Sequence, residues 1–403
     1  MKIKNLFILV ALLISITTSS KNIDGIFVDF NKISKVKNLI QKGDENYIPA
    51  YKALIERADE ALTEGPFSVM NKKRTPPSGD KHDYISMGPY WWPDPSKPDG
   101  LPYIRKDGEI NPETRGEYID TQEKNKLFGN VETLGWAYYF SGDKKYAQKA
   151  LQLLETWFIN PATRMNPNLN FAQGIPGRTE GRGIGIIDWS GINRLISPIQ
   201  ILEAGGILKG ETKNQLYQWF TDYLDWLLTS KNGVDEDDYF NNHGTWYDVQ
   251  VVGIELLLGK KEMAKARLEQ VKTRRIATQI EPDGSQPKEL ARTKSLGYST
   301  MNLRGYMHLA IMGNKNGVNL WDFETSDGRS IRKAYQFLLP YAQGKKTWTY
   351  QQLGSMEHAI ETLKVDFLMA ASKTGSAEYR QVAETMERPR TGLDILLYPL
   401  SDK

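Results

Sequence analysis

The sequence predicts an all-α fold: a single-domain (α/α) toroid, or barrel, of about six to seven stacked helical hairpins with long cleft-forming loops. Three observations carry this reading. Helix–turn–helix units recur from residue 132 onward, strand-like alternation is scarce, and two long loops interrupt an otherwise helical chain. Hairpins of varied length separated by long loops favour a closed ring over a regular solenoid.

Residues 1–20 place Lys2 and Lys4 before an apolar run from Leu6 to Ile16, followed by small and hydroxylated residues. This is the layout of a secretory signal peptide, too short and wrongly flanked for a stable membrane span. The expectation is an exported chain, periplasmic or secreted, whose mature domain covers 21–403 and has no membrane span. The first long loop, 65–130, contains YISMGPYWWPDPSKPDGLP (84–102), whose prolines exclude regular helix and suit the wall of a cleft. The first clear hairpin joins 133–140 through SGDKK to 146–158, with Tyr146, Ala150, Leu153, Leu154 and Trp157 on one stripe. A second long loop spans 160–191. Helices are expected at 192–208, 214–230, 300–312, 331–342 and 355–371. Further hairpin units are expected over 249–276, around the MGNKNG turn at Gly313, and over 367–386. Trp157, Trp219 and Trp226 fall on helical stripes and read as core.

Composition removes several chemistries. The 403 residues contain no cysteine, which excludes thiolate catalysis, disulfides and iron–sulfur clusters. Of four histidines, His82, His243, His308 and His358, no two stand at metal-ligand spacing, so no metal site is expected. The net charge of +3, or +1 once Lys2 and Lys4 leave with the leader (50 basic against 49 acidic), does not favour nucleic acid. It leaves room for a local basic cleft that holds an acidic ligand.

Two segments concentrate candidate groups. In YFNNHGTWY (239–247), Asn242 and His243 precede Gly244 at the start of a helical pattern, where backbone N–H groups face an anion. In IEPDGSQPKELARTKSLGYSTMNL (280–303), Pro282-Asp283-Gly284 forms a turn, and Arg292 and Tyr298 stand six residues apart around Gly297. An Asn, a His, an Arg and a Tyr converging on one carboxylate can remove the proton alpha to it: amide and guanidinium neutralise the carboxylate, while Tyr and His supply acid and base. A tyrosine beside a cation has its ionised form favoured, which makes a phenolate base conceivable. Tyr90, Trp91 and Trp92 offer rings that either stack on sugars or plug the core beneath the long loop, with Tyr247 as a further candidate contact. Arg178 and Arg182, in a Gly-rich loop, suit uronate carboxylates or ion pairs with Glu180 or Asp188. The acidic run 235–238 reads as a solvated turn, because it lacks the spacing of a calcium loop. His308 and His358 read as structural.

MGPYWWPDP, GRTEGRGIGIID (177–188), NNHGTWYDVQ and PDGSQPKELARTKSLGYSTMNL together resemble the alginate lyase domain of exported bacterial polysaccharide lyases, in the family's order, from Met87 to Leu303. The resemblance implies an (α/α) toroid that cleaves mannuronate-rich alginate by β-elimination without a required cofactor. It further implies Tyr298 as central acid and base, with Asn242, His243 and Arg292 around the substrate carboxylate. In β-mannuronate the C5 proton and O4 share a face, so one tyrosine can serve both; in α-guluronate His243 is the natural base and Tyr298 the acid. Three other readings stay open: a lyase of another polyuronate such as glucuronan, an (α/α)-barrel glycoside hydrolase, which needs two flanking carboxyl groups, and a silent glycan-binding protein.

Overall fold

The computed structural model describes residues 23–386 and 392–400; the leader at 1–20 lies outside the described residues. In chain order the helices are α1 (Phe30–Gln41), α2 (Ile48–Ala61), α3 (Thr121–Ser141), α4 (Lys144–Leu154), α5 (Asn193–Ala204), α6 (Gly210–Thr229), α7 (Lys231–Asp237) and α8 (Asn242–Leu257). They continue with α9 (Lys261–Val271), α10 (Ala277–Gln279), α11 (Pro287–Leu290), α12 (Ser295–Lys315), α13 (Ile331–Ala342), α14 (Met356–Thr374), α15 (Ala377–Glu384) and α16 (Leu393–Leu397).

Burial sorts these helices into two layers. On α8 and α12 nearly every face is buried, and α3 and α14 are buried over much of their length, whereas α4, α9 and α15 bury one stripe and expose the rest. A helix apolar all round must be covered on all sides, so the first group lines the ring and the second forms its outside. The inner helices α3, α5, α8, α12 and α14 touch in that order, and α16 packs on α1 and α2. The ring is tied shut where Lys32 of α1 donates to the carbonyl of Ser372 at the end of α14. This is the expected (α/α) toroid.

Hairpin turns at Gly142, Gly259 and Gly375 lie at φ of 76°, 73° and 73°, left-handed backbone that glycine adopts without strain. The turn expected at Gly313 is displaced. Helix α12 runs on to Lys315 and Gly317 makes the turn, while a Cβ at Gly313 would lie 2.5 Å from the carbonyl oxygen of Val318 in the returning chain. Helices α1 and α2 occupy a region where the sequence predicted none, and α3 begins at Thr121, inside the expected first loop.

That loop and the second carry the only strands among the described residues. β1 (Ile85–Met87) pairs in parallel with β4 (Phe171–Gly174), and β2 (Trp91–Trp92) pairs antiparallel with β3 (Ile104–Arg105), Trp91 opposite Arg105. The two loops are therefore stitched together over the N-terminal ends of the inner helices. Asp188 fixes the join: it accepts from Tyr84 at 3.1 Å, Ser86 at 2.5 Å and Gln173 at 2.9 Å.

Trp157 and Trp219 are core as expected, and Trp226 is half-buried, donating to Asn170. His308 is buried with no partner for Nδ1. Burial, and then Arg304, push its pKa down from the ordinary 6.5 to about 3. Between those values the unfolded chain takes up a proton that the folded chain refuses, so the stability is whole above pH 6.5 and is lost as pH falls toward 3. Relative to a His308→Gln variant, the parent should lose about 3 kcal/mol of unfolding free energy between pH 7 and pH 4. Urea titrations at the two pH values check this, and an unchanged difference would refute it.

Candidate active site

The site is a cavity of about 550 Å³ between the loop layer and the starts of α8 and α12, lined by Tyr90, Trp91, Gln173, Arg182, Tyr239, Asn242, His243, Arg292 and Tyr298 among others. All four central candidates from the sequence meet here.

Helix α8 starts on Asn241, whose side chain accepts from the backbone N–H of His243. Asn242 is held by Glu289 of α11, one carboxylate oxygen accepting from its backbone N–H and the other from its side-chain amide, both at 2.7 Å. Burial raises the Glu289 carboxyl, and the two Asn242 bonds oppose that rise. The amide is thereby fixed with one N–H left for a ligand. His243 Nδ1 lies 2.7 Å from Glu236 Oε1. Glu236 is fully buried, its second oxygen has no partner, and burial raises its carboxyl against the opposing pull of His243. This contact sets the ring's orientation and leaves Nε2 as the uncommitted nitrogen. Tyr239 packs against the ring at 5.3 Å.

Tyr298 lies in the first turn of α12, and its hydroxyl is 2.6 Å from that of Tyr90 and accepts from Arg292 Nη2 at 2.9 Å. The Arg292 guanidinium also lies 4.0 Å above the Tyr298 ring. A carboxylate absent from the sequence candidates completes the group: Asp107 accepts from Arg292 Nε at 3.1 Å and Nη2 at 2.8 Å, and from the Thr293 hydroxyl at 3.1 Å. Burial works against ionisation of Asp107, but Arg292 outweighs it and holds the carboxyl well below its usual range. The fork of Arg292 is thus largely filled, with two bonds to Asp107 and one to the Tyr298 hydroxyl.

The phenolate that the neighbouring cation made conceivable for Tyr298 is not favoured in the free site. Burial, with Tyr90 adding to it, pushes the phenol well above its ordinary value, and Arg292 only partly offsets this. The resting hydroxyl therefore carries a proton to give.

The substrate-binding candidates divide. Tyr90 and Trp91 line the cavity, with Arg178 and Arg182 over the Trp91 ring at 5.2 and 5.9 Å. Neither arginine pairs with Glu180 or Asp188. Arg182 bonds to the Gln173 carbonyl at 3.0 Å and side chain at 3.1 Å, and burial lowers its pKa to about 10; Arg178 bonds to the Tyr103 carbonyl outside the cavity. Trp92 turns away, donating to the Glu109 carbonyl with Lys106 over its ring. Tyr247 is buried and donates to the Leu227 carbonyl at 2.6 Å, so it does not line the cavity. The acidic run 235–238 is no solvated turn: it closes α7, with Glu236 under His243 and Asp237 among three arginines.

The sequence reading also missed Gln173, Arg105, Phe240 and Lys288 on the cavity wall. Gln173 has a φ of 49°, the only positive value at a non-glycine among the described residues. Such backbone costs roughly 1–3 kcal/mol and persists where surroundings dictate it; here Asp188 and Arg182 hold the side chain. Exposed Phe240, with Lys288 at 4.8 Å, presents a ring at the mouth. Among the described residues no group of three or more His, Asp or Glu could hold a metal ion, and no helix is long and apolar enough to cross a membrane.

Residues 68–348 match the family model described as alginate lyase. The chain belongs to the alginate lyase family. A crystal structure of an alginate lyase from Bacteroides ovatus is 40% identical, covers 94% of this chain and all of its own, and superposes with a TM-score of 0.90. The alginate lyase A1-III from Sphingomonas species A1 shares the fold at 17% identity and a TM-score of 0.59, over 92% of this chain and 95% of its own. A variant of A1-III complexed with a tetrasaccharide, also 17% identical, gives 0.62 over 96% and 98%. No curated protein matches. Family membership makes this alginate lyase a polysaccharide lyase with an acidic polysaccharide as substrate.

Proposed function

We propose that this alginate lyase, exported by its leader to the periplasm or medium, cleaves mannuronate-rich chains by β-elimination. The carrying observation is the Tyr298 hydroxyl, held by Arg292 and Tyr90 in the same cavity as Asn242 and His243. Elimination moves the C5 proton to a base, forms the C4–C5 double bond and breaks C4–O4, with O4 taking a proton. The free N–H of Asn242 and His243 meet the C6 carboxylate, and Arg182, Arg105 and Lys288 supply the surrounding positive field. On mannuronate Tyr298 serves both transfers. Tyr298 first gives its resting proton to water in the open cavity, Arg292 stabilises the phenolate so formed, this phenolate takes the C5 proton, and the resulting phenol protonates O4, which leaves the phenolate for the next cycle.

Guluronate is the second reading, favoured by the protonated resting state of Tyr298 and by the carboxylate behind His243. There His243 takes the C5 proton from the opposite face and Tyr298 needs only to donate. Incubation with polymannuronate, polyguluronate and glucuronan, followed by ultraviolet absorbance of the 4,5-unsaturated end, separates these readings. The fastest rise is expected on polymannuronate. A faster rise on polyguluronate or glucuronan overturns the choice of sugar, and new reducing ends without absorbance overturn elimination itself.

A further inference from the structure

The carboxylate behind His243 has no second hydrogen-bond partner among the described residues. Glu236, in the last turn of α7, has a fully buried side chain; its Oε1 lies 2.7 Å from His243 Nδ1, and its Oε2 meets no donor. The imidazole is 14% exposed and lines the cavity, so Nε2 is the nitrogen a substrate meets. The charged groups around the pair are engaged elsewhere. On α7 itself Asp235 binds Lys231 and Asp237 binds three arginines, while α6 brings the Leu227 backbone against Gly233. Arg182, before the 183–189 turn, is bonded to Gln173, and Arg275, beyond α9, to Asp248 and to the Asp237 and Tyr239 carbonyls. On the far side Glu289 of α11 holds Asn242, and Tyr239 packs on the imidazole.

Two places in this pair take protons: the bridge between Oε1 and Nδ1, and Nε2. With both filled the pair has no net charge, whichever side of the bridge the inner proton favours, and Nε2–H is a donor. With only the bridge filled the pair is a net anion, and Nε2 holds a lone pair. A buried anion with a bare oxygen is the unfavourable state, because nothing replaces the water it has lost. Accordingly, burial raises the Glu236 carboxyl, and His243, Arg182 and Arg275 pull it down without cancelling that rise. The group that strengthens Nε2 as a base therefore also holds a proton on it.

We propose that Glu236 is a positioning residue that selects between the two roles of His243, and so ranks the two sugars. While the pair keeps its second proton, Nε2–H donates to the C6 carboxylate and the Tyr298 route on mannuronate runs. Once that proton leaves to solvent, Nε2 takes the C5 proton of guluronate, the C4–C5 double bond forms, C4–O4 breaks, and O4 takes the Tyr298 proton; water then carries the proton from Nε2 back to the phenolate. The assignment rests on the lyase reading above and adds the group that sets the choice.

The test uses Glu236→Gln in the full chain. The amide keeps the side chain's volume and an acceptor for Nδ1–H, but it makes the doubly protonated pair a buried cation, which gives up its second proton more readily. The rate on polyguluronate should rise with pH as that proton leaves, and in Glu236→Gln the rise should come about one to two pH units lower. At pH 7 the ratio of the polymannuronate rate to the polyguluronate rate should fall about tenfold. Equal losses on both polymers, or a rise at an unshifted pH, would make Glu236 merely structural and overturn the proposal. Nitrogen NMR of histidine-labelled protein gives a readout without turnover, with His243 assigned by the signals missing from His243→Gln. Its Nε2 should stay protonated to a pH about one to two units higher in the parent than in Glu236→Gln, and coincident titrations refute the selection. If Glu236→Gln does not fold, the parent's spectrum decides: Nε2 protonated at pH 7 supports the assignment, and a bare Nε2 refutes it. If the parent makes no unsaturated product, the lyase reading fails, and the spectra still decide whether Glu236 holds the proton.

Discussion

Replacing Tyr298 with phenylalanine is expected to lower kcat on polymannuronate by about 10³-fold or more, with KM changed only a few-fold. One positioned proton transfer is worth roughly 10²–10⁴ in rate, and on the proposed mannuronate route the same hydroxyl serves two. The ring stays, so the Arg292 guanidinium keeps its stacking surface and its two bonds to Asp107. Tyr90 loses one partner but faces the cavity, where water can replace it. The folded structure should therefore survive, with a thermal midpoint close to the parent's. Tyr90→Phe is the internal control: it removes the 2.6 Å contact without removing the reacting oxygen, and should cost about tenfold. Steady-state kinetics on both variants decides the matter. Elimination within tenfold of the parent in Tyr298→Phe would remove Tyr298 from the chemistry.

How far the sequence disclosed this site depends on where each interaction lies along the chain. Arg292 and Tyr298 are six residues apart, and Asn242 and His243 adjoin a helix start, so their roles are local and readable. Asp107 is 185 residues from Arg292 and Glu289 is 47 from Asn242, and neither partner can be found without the fold. Glu289 did stand inside a motif already singled out, three residues before Arg292. Glu236 was misread because four consecutive acids look hydrated; its burial depends on α8 and on arginines about 30–40 residues away. The start of α12 failed for a similar reason. SLGYS is a weak helix former, yet the N–H groups of Leu296 and Gly297 are capped by Gln352 from beyond α13, and this tertiary cap extends the helix back past Tyr298. The inner helices were legible from period and composition, since their burial is a property of their own residues. Tyr247 was misplaced because motif membership says nothing about helical phase: its side chain leaves α8 toward Leu227.

The largest stability loss is expected at Asp248, a residue with no contact to the cavity. It accepts from Arg275 Nε at 2.8 Å and from Arg267 Nη1 at 2.9 Å, and both Asp248 and Arg275 are buried. Arg275 in turn donates to the carbonyls of Asp237 at 2.7 Å and Tyr239 at 3.1 Å. Those two carbonyls belong to the turn that joins α7 to α8, between Glu236 and His243. Gly244 is required at this point: a Cβ there would lie 2.1 Å from the Tyr239 oxygen and 2.7 Å from Arg275 Nη1. Removing one partner of a buried pair leaves the other charged and unpaired, at a cost of about 3–5 kcal/mol. Asp248→Ala should therefore lower the unfolding free energy by about that amount, with Asp237 retaining part of the guanidinium contacts. Asp248→Asn keeps the volume and one acceptor and should cost less. Because the same arginine pins the turn under His243, Asp248→Ala should also lose activity at temperatures where it is still folded. Denaturant titration paired with the ultraviolet assay measures both. A loss below about 1 kcal/mol would show that the cluster is held by Asp237 alone, and full activity in the folded variant would show that the turn needs no support from Arg275.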